Sequence, residues 1–229
     1  MKEINLNLVG CGGVGVKVAR ELSSSAPVGL KQITLWDGDA IENRNLERQI
    51  FQKNQVGMTK SSATRQLFFE DANIRGDLNV SSLWDENYLD KDKPWDEGTV
   101  FIVTTDNIES RLLLLEVIDE FGSEDSLIIS GANATADDGF GIGSTAWVYK
   151  KEWKGSQKDP RIRDQLESQE NIDLGRPCTE VSEPQTALAN SGASIRVVEM
   201  LAFYCSELTE QYEEHLASQH SLFWKQVAI

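Results

Sequence analysis

Histidine is almost absent from this chain: two occur in 229 residues, His215 and His220, both near the C-terminus. Triad chemistry built on a histidine base has little to draw on. Cysteine is scarce as well, and an odd count of three fits a reducing cytoplasm better than a disulfide framework. Basic residues are in the minority, 22 Lys and Arg against 37 Asp and Glu, giving a net charge of −15. That balance argues against a general nucleic-acid binder, which needs a basic face; acidity of this size mostly serves solubility. No apolar run reaches the roughly eighteen residues that a membrane-spanning helix requires, so no membrane segment is predicted. Met1-Lys2-Glu3 leads straight into an apolar segment with no secretory cleavage pattern, and the expected location is cytoplasmic.

What the chain does contain is a glycine-rich phrase, Gly10-Cys11-Gly12-Gly13-Val14-Gly15, directly after the run Ile4–Val9. A strand ending at Val9 must turn sharply into a helix beginning near Val14. Glycines permit the tight turn, close approach of backbone N–H groups to phosphate, and close helix–strand packing. The unpaired N–H groups at the helix start carry partial positive charge and favour an anion. Asp37 closes a second apolar strand, Gln32–Trp36, where a Rossmann-type acidic residue bonds ribose hydroxyls. Together these features predict a nucleotide site; the plain alternative is a strand-to-helix turn without a ligand.

Apolar runs alternate with helical stretches, which predicts an α/β fold: a Rossmann-like, mixed but mostly parallel sheet with helices on both faces. Strands are expected at Ile4–Val9, Gln32–Trp36, Leu78–Val80, Thr99–Thr104 and Ser126–Ser130. Helices are expected at Val14–Ser24, Met58–Ala72 and Ile108–Phe121. Ser144–Tyr149 reads as an added antiparallel strand. Residues 150–184 are polar and poor in apolar periodicity, and are expected to form a long loop, which in a compact domain is usually functional. Gln185–Leu208 returns to helix, with Leu188, Gly192, Ile195, Val198 and Leu201 on one face. The domain reading is one ATP-binding unit over 1–208 and a helical tail over 209–229.

A second phrase follows Asp37. It comprises Asp37-x-Asp39, then Asn45-Leu46-x-Arg48-Gln49, then Gly57-Met58-Thr59-Lys60, and finally Asp106-Asn107-x-x-x-Arg111. Hydride transfer has no need of this set. Cleavage of ATP between its α and β phosphates does, because charge grows on the bridging and leaving oxygens, where positioned Arg, Lys and Mg²⁺ stabilise it. Arg48 and Lys60 are two such cations, with surface salt bridging as their structural alternative. Asn45 and Gln49 can bond phosphate or position Arg48. Asp106 follows an apolar strand at the edge where ligands bind in such folds, and an acid there suits Mg²⁺, which keeps phosphate and water as its other ligands.

In order and spacing these motifs, from about Ile4 to Gly131, resemble the adenylation domain of ubiquitin-activating enzymes and the ThiF/MoeB group that activates sulfur carriers. The resemblance implies an eight-stranded mixed sheet, an ATP·Mg²⁺ site, and a ubiquitin-like β-grasp partner whose C-terminal glycine is adenylated. It implies that Gly10, Gly12, Gly13 and Gly15 cradle the nucleotide. Asp37 would hold ribose, with Asp39, Asn45 and Gln49 beside it. Arg48 and Lys60 would act on the phosphates, and Asp106 on the metal. Pro177-Cys178-Thr179 is similar to the Pro-x-Cys-Thr segment that carries the thioester cysteine of the ubiquitin-activating relatives, although here proline adjoins cysteine. Arg176 or the following helix start would favour the thiolate; the alternative for Cys178 is a loop thiol without a role. Cys11 reads as a small spacer and Cys205 as core.

Paired CxxC motifs that hold zinc in many relatives are missing, so no structural zinc is expected. No arginine-bearing helix is seen before the first strand, and no separate cysteine or ubiquitin-fold domain. The chain looks most like compact bacterial ThiF-family proteins of PRTRC-type and ubiquitination-like operons. That implies a homodimer and an E2-like conjugating enzyme as a further partner. Three other readings stay open: adenylation of a sulfur carrier or another acceptor without a thioester, the noncatalytic half of a heterodimer, and a nicotinamide oxidoreductase. The last is opposed by Arg48-Gln49, by Lys60 and by the lack of a catalytic His or Tyr-x-x-x-Lys.

Overall fold

The computed structural model describes residues 3–24, 29–47, 49–69, 99–134, 143–156, 159, 161–170 and 187–206. Strands β1 (Glu3–Val9), β2 (Gly29–Trp36), β3 (Thr99–Val103), β4 (Leu127–Ala134) and β5 (Gly143–Lys150) form a sheet in the order β2-β1-β3-β4-β5. The first four run parallel, and β5 pairs antiparallel with β4. Between them lie helices α1 (Gly15–Ser24), α2 (Lys60–Phe68), α3 (Ile108–Phe121), α4 (Ile162–Glu170) and α5 (Ala187–Cys205). The mixed, mostly parallel α/β architecture is the expected one, and so is the antiparallel sense of β5. The expected strand Leu78–Val80 lies outside the described residues, as does the tail 209–229.

Period-two alternation in β1 puts Ile4, Leu6 and Leu8 on the face covered by α1 and α5, where they join Val18, Leu22, Val197 and Leu201. Val9, Phe101, Val103 and Ile128 face the other way, against Leu114, Leu115 and Ile118 of α3. Central β3 is buried along its whole length, which is why its sequence, Thr-Val-Phe-Ile-Val, runs without alternation. Helix α5 crosses β4 at Gly131, where a Cβ would meet Val197 Cγ2 at 2.5 Å.

One expectation is corrected. Residues 150–184 are not a continuous loop, because Lys151–Trp153 form a 3-10 turn and α4 occupies Ile162–Glu170. Ile162 and Leu166, one helical turn apart, are buried with Trp147 and Tyr149. Two apolar positions in a charged stretch carry too little periodicity to read as a helix. The other helices match within a few residues: α2 ends at Phe68 rather than Ala72, α5 spans Ala187–Cys205, and α3 spans the expected Ile108–Phe121.

The sheet register positions the site. Val9 aligns with Trp36 on one side and Val103 on the other. Gly10, Asp37 and Thr104 therefore leave the carboxyl edge side by side. From there the chain 40–59 folds over a small separate core of Val16, Ile41, Phe51 and Ala63, tied down by the bridge between Ala40 and Thr59.

Candidate functional site

The glycines of the turn do different jobs. Gly10 has φ +92°, donates its N–H to Trp36 O at 2.8 Å, and accepts from Thr104 Oγ1 at 2.7 Å. Gly15 sits against that same carbonyl, since a Cβ there would be 1.8 Å from Gly10 O. Gly13 makes room for Asn190 of α5, whose Nδ2 would be 2.4 Å from an added Cβ. Gly12 alone has nothing within 4 Å of a Cβ position. Among the described residues no acceptor meets the N–H groups of Gly12, Gly13 or Val14. An open cradle of backbone donors at a helix start is the donor set that a phosphate fits.

Asp37 fastens this turn to β2. Its Oδ2 accepts from Cys11 N at 2.7 Å and its Oδ1 from Asp39 N at 2.9 Å. Burial raises its carboxyl above the ordinary range, partly offset by Lys60 and by the two N–H donors. Each oxygen retains a second lone pair, so a ribose hydroxyl still has an acceptor there.

Lys60 opens α2, with Thr59 as N-cap accepting from Ser62 N. Its backbone N–H donates to Asp39 O at 2.8 Å, and its Nζ to Asp39 Oδ2 at 2.6 Å. Lys60 is thus a buried cation in an ion pair, not a free surface charge. Asn45 is buried and accepts from Glu42 N at 2.8 Å, while its carbonyl accepts from Gln49 N at 2.8 Å. It shapes the 3-10 turn Asn43–Asn45 that leads to Arg48. Gln49 Oε1 is buried, and no described donor meets it. Arg48 and Cys178 both lie outside the described residues.

Asp106 is exposed on the turn between β3 and α3. Asn107 caps α3 by accepting from Ser110 N at 2.8 Å, and Arg111 donates twice to Thr105 O, at 3.2 and 2.6 Å. Thr105 Oγ1 is buried without a partner. Among the described residues no group of three His, Cys, Asp or Glu side chains converges on a metal position. A single carboxylate nevertheless fits Mg²⁺ that is held chiefly by phosphate and water.

Cys11 and Cys205 are buried. Burial, with Asp37 beside it, pushes the Cys11 thiol far up, so Cys11 does not supply a thiolate at neutral pH. Two features had no sequence signal. Asn190 and Ser191 place the start of α5 against the glycine turn, with Lys17 Nζ donating to Ser191 Oγ at 2.7 Å. Contacts across so much chain cannot be read from one sequence.

A parallel sheet, a glycine turn into a helix and an acid closing the neighbouring strand define a Rossmann-like α/β protein of the nucleotide-site type. More particularly, this chain belongs to the ThiF family, whose sequence model matches residues 1–136. It is 39% identical over 70 residues to ubiquitin-like modifier-activating enzyme 5 of Arabidopsis thaliana, covering 31% of this chain and 16% of that protein. It is 37% identical over 62 residues to adenylyltransferase and sulfurtransferase MOCS3 of Xenopus laevis, covering 27% and 13% respectively. Its fold is shared with MccB of E. coli solved with ATP, at a TM-score of 0.60 and 20% identity over 88% of this chain and 55% of that one. The matches therefore span a small part of the curated relatives and about half of the solved neighbour.

Proposed function

We propose that the chain catalyses ATP-dependent adenylation of the C-terminal glycine of a ubiquitin-like β-grasp protein. The observation that carries this reading is one rim on which the open Gly12 cradle, Asp37, Lys60 and the Asp106 turn meet. A carboxylate oxygen of the glycine attacks the α phosphorus, the bond to the β-phosphate oxygen breaks, and pyrophosphate leaves. The turn N–H groups bind phosphate, Asp37 bonds ribose, and Lys60 and Arg48 stabilise charge on the leaving pyrophosphate. Asn45 and Gln49 are of the residue types that bond phosphate or position Arg48, and the buried Gln49 Oε1 has no described donor of its own. Asp106 holds Mg²⁺, which when bound neutralises phosphate charge.

In a second step the Cys178 thiolate attacks the acyl carbon and AMP leaves, giving a thioester for an E2-like conjugating enzyme; the working unit is a homodimer. A second reading, in which a sulfur carrier is adenylated without a thioester step, draws on the likeness to a relative named adenylyltransferase and sulfurtransferase.

Two measurements test the proposal. Calorimetric titration is expected to give ATP·Mg²⁺ binding; tight NAD binding without an ATP signal overturns adenylation. A reaction of the protein, ATP and its ubiquitin-like partner on a non-reducing gel is expected to give a thiol-sensitive adduct. That adduct should vanish in Cys178→Ala and persist in Cys205→Ala. Full conjugation by Cys178→Ala means that the chemistry stops at the adenylate.

A further inference from the structure

Asp39 and Lys60 form a pair of very unequal partners. The lysine side chain is 11% exposed and the aspartate side chain 74%. The buried cation therefore reaches outward to an anion that stands almost wholly in water. These two environments respond differently to separation. An exposed carboxylate that loses its partner is rehydrated at little cost, since exposed ion pairs contribute little to stability. A buried ammonium that loses its partner is costly, because nothing replaces the water it gave up. The pair can be exchanged, but not simply opened. A new anion must arrive as the old one leaves.

The backbone holds the exchange in place. Lys60 N–H donates to Asp39 O at 2.8 Å and Asp39 N–H to Asp37 Oδ1 at 2.9 Å, two bonds that involve neither the Asp39 carboxylate nor the Lys60 ammonium. Asp37 in turn holds the glycine turn through Cys11 N at 2.7 Å. The Asp39 carboxylate is thus tethered next to the cradle of open N–H groups, where an incoming phosphate would carry charge of the same sign. Two anions competing for one buried ammonium leave a single stable arrangement when the stronger is present. Phosphate oxygens of a triphosphate outcompete one carboxylate, because they present more charge to the same donor.

We propose that Asp39 is a positioning residue that serves as the resting counter-ion of Lys60, and that the triphosphate of ATP displaces it. This rests on the adenylation reading and revises the role of Asp39 within it, from nucleotide ligand to placeholder. In the ligand-free protein Asp39 keeps the ammonium aimed at the rim; on binding, the ammonium passes to phosphate and the carboxylate turns out to solvent. No bond is made or broken in this step.

The test is a double-mutant cycle on ATP affinity by calorimetry in the full chain, with Asp39→Asn, Lys60→Ala and the double variant, each with Mg²⁺ and with EDTA. Asparagine removes the competing charge, keeps the shape and leaves the buried ammonium without its resting anion, so Asp39→Asn is expected to tighten ATP binding by at least about fivefold, more than one exposed ion pair would give. In the Lys60→Ala background the same change should shift affinity by less than about twofold, because the competitor has nothing left to compete for. Binding of AMP, which lacks the β and γ phosphates, should move less than binding of ATP in Asp39→Asn. Weaker ATP binding in Asp39→Asn overturns the proposal and makes Asp39 a nucleotide ligand; if the weakening appears only with Mg²⁺, it makes Asp39 a metal ligand. An equal shift with and without Lys60 also overturns it, as does no shift at all. Absence of ATP binding in the wild type overturns the adenylation reading itself, which separates the two failures.

Discussion

The two edges of the sheet use the same residue types in opposite ways. At the carboxyl edge, apart from the Asp39–Lys60 pair, charged and hydroxyl side chains grip the backbone: Asp37 holds the amides of Cys11 and Asp39, Thr104 the carbonyl of Gly10, Arg111 the carbonyl of Thr105. At the amino edge, charges and polar groups meet one another. Asp119 near the end of α3 accepts from Tyr149 OH at 2.6 Å and Lys154 Nζ at 2.6 Å, and lies 3.5 Å from Arg163. Side chains that fix main chain leave loops rigid and their neighbouring N–H groups open, which is the requirement of a binding rim. Side chains that neutralise each other lock β5 and α4 onto α3 and leave nothing over.

The largest expected effect tests the rigidity of the carboxyl edge. Gly15→Ala puts a methyl 1.8 Å from Gly10 O, an intrusion that exceeds ordinary overpacking at about 1–3 kcal/mol. The melting temperature should fall by several degrees or more, or soluble protein should be lost. Gly12→Ala, with open space around it, should melt within a degree or two of the wild type while ATP binding weakens. Equal damage at both positions would break the division of labour within the turn.

Next in size is Lys60→Ala. It should cut ATP–pyrophosphate exchange by about a hundredfold or more, the scale of a lost transition-state contact. The exposed Asp39 left behind is rehydrated, so the loss of stability should stay near 1 kcal/mol. Unchanged specific activity with lost folding would make Lys60 structural.

The amino edge should answer in the opposite sense. Burial and the Asp119 carboxylate push the Tyr149 hydroxyl well above its ordinary range, as expected for a donor fixed on an anion. Tyr149→Phe should cost about 1.5–3 kcal/mol, the range for hydrogen bonds to charged groups, with ATP affinity unchanged. A change in ATP affinity would erase the contrast between the edges.

The smallest effect is a slope with pH. The folded-state pKa of Asp37 is raised, chiefly by burial. The folded protein therefore holds this proton more firmly than the unfolded chain, and the group's contribution falls as pH rises from the ordinary carboxylate range through the raised value. Relative to Asp37→Asn, the wild type should lose melting temperature as the pH rises from the ordinary carboxylate range, about pH 4, through the raised value. A difference that stays flat over that window would show that Asp37 ionises as freely in the fold as outside it.

Much of this was legible in the sequence, for reasons that differ by element. The turn, β1 and α3 are local: glycine geometry, period-two alternation and an Asn107 cap each act within a few residues. The apolar run Thr99–Thr104 marked a strand, but its central place in the sheet comes from the pairing with β1 and β4. The 150–184 stretch was misread because, among the described residues, α4 enters the core through Ile162 and Leu166 in an otherwise polar sequence. Among the expected site residues, Asp37 and Lys60 stand on one rim, but sequence gave no sign that Asp39 pairs with Lys60. Spacing places residues along the chain, whereas an ion pair depends on how the bridge between Ala40 and Thr59 brings two segments together.

The contact between the glycine turn and α5 has a consequence for the order in which the protein is made. Lys17 and Ser191 are 174 residues apart, and Asn190 closes over Gly13 from the same helix turn. At a ribosomal pace of about 5–20 residues per second, the turn emerges roughly ten to thirty seconds before the residues that pack against it. Through that interval the nascent chain carries its glycine turn without the helix that packs against it. The turn is thus made well before the contacts that finish it, and any chain released before α5 is complete leaves the ribosome with the turn still uncovered.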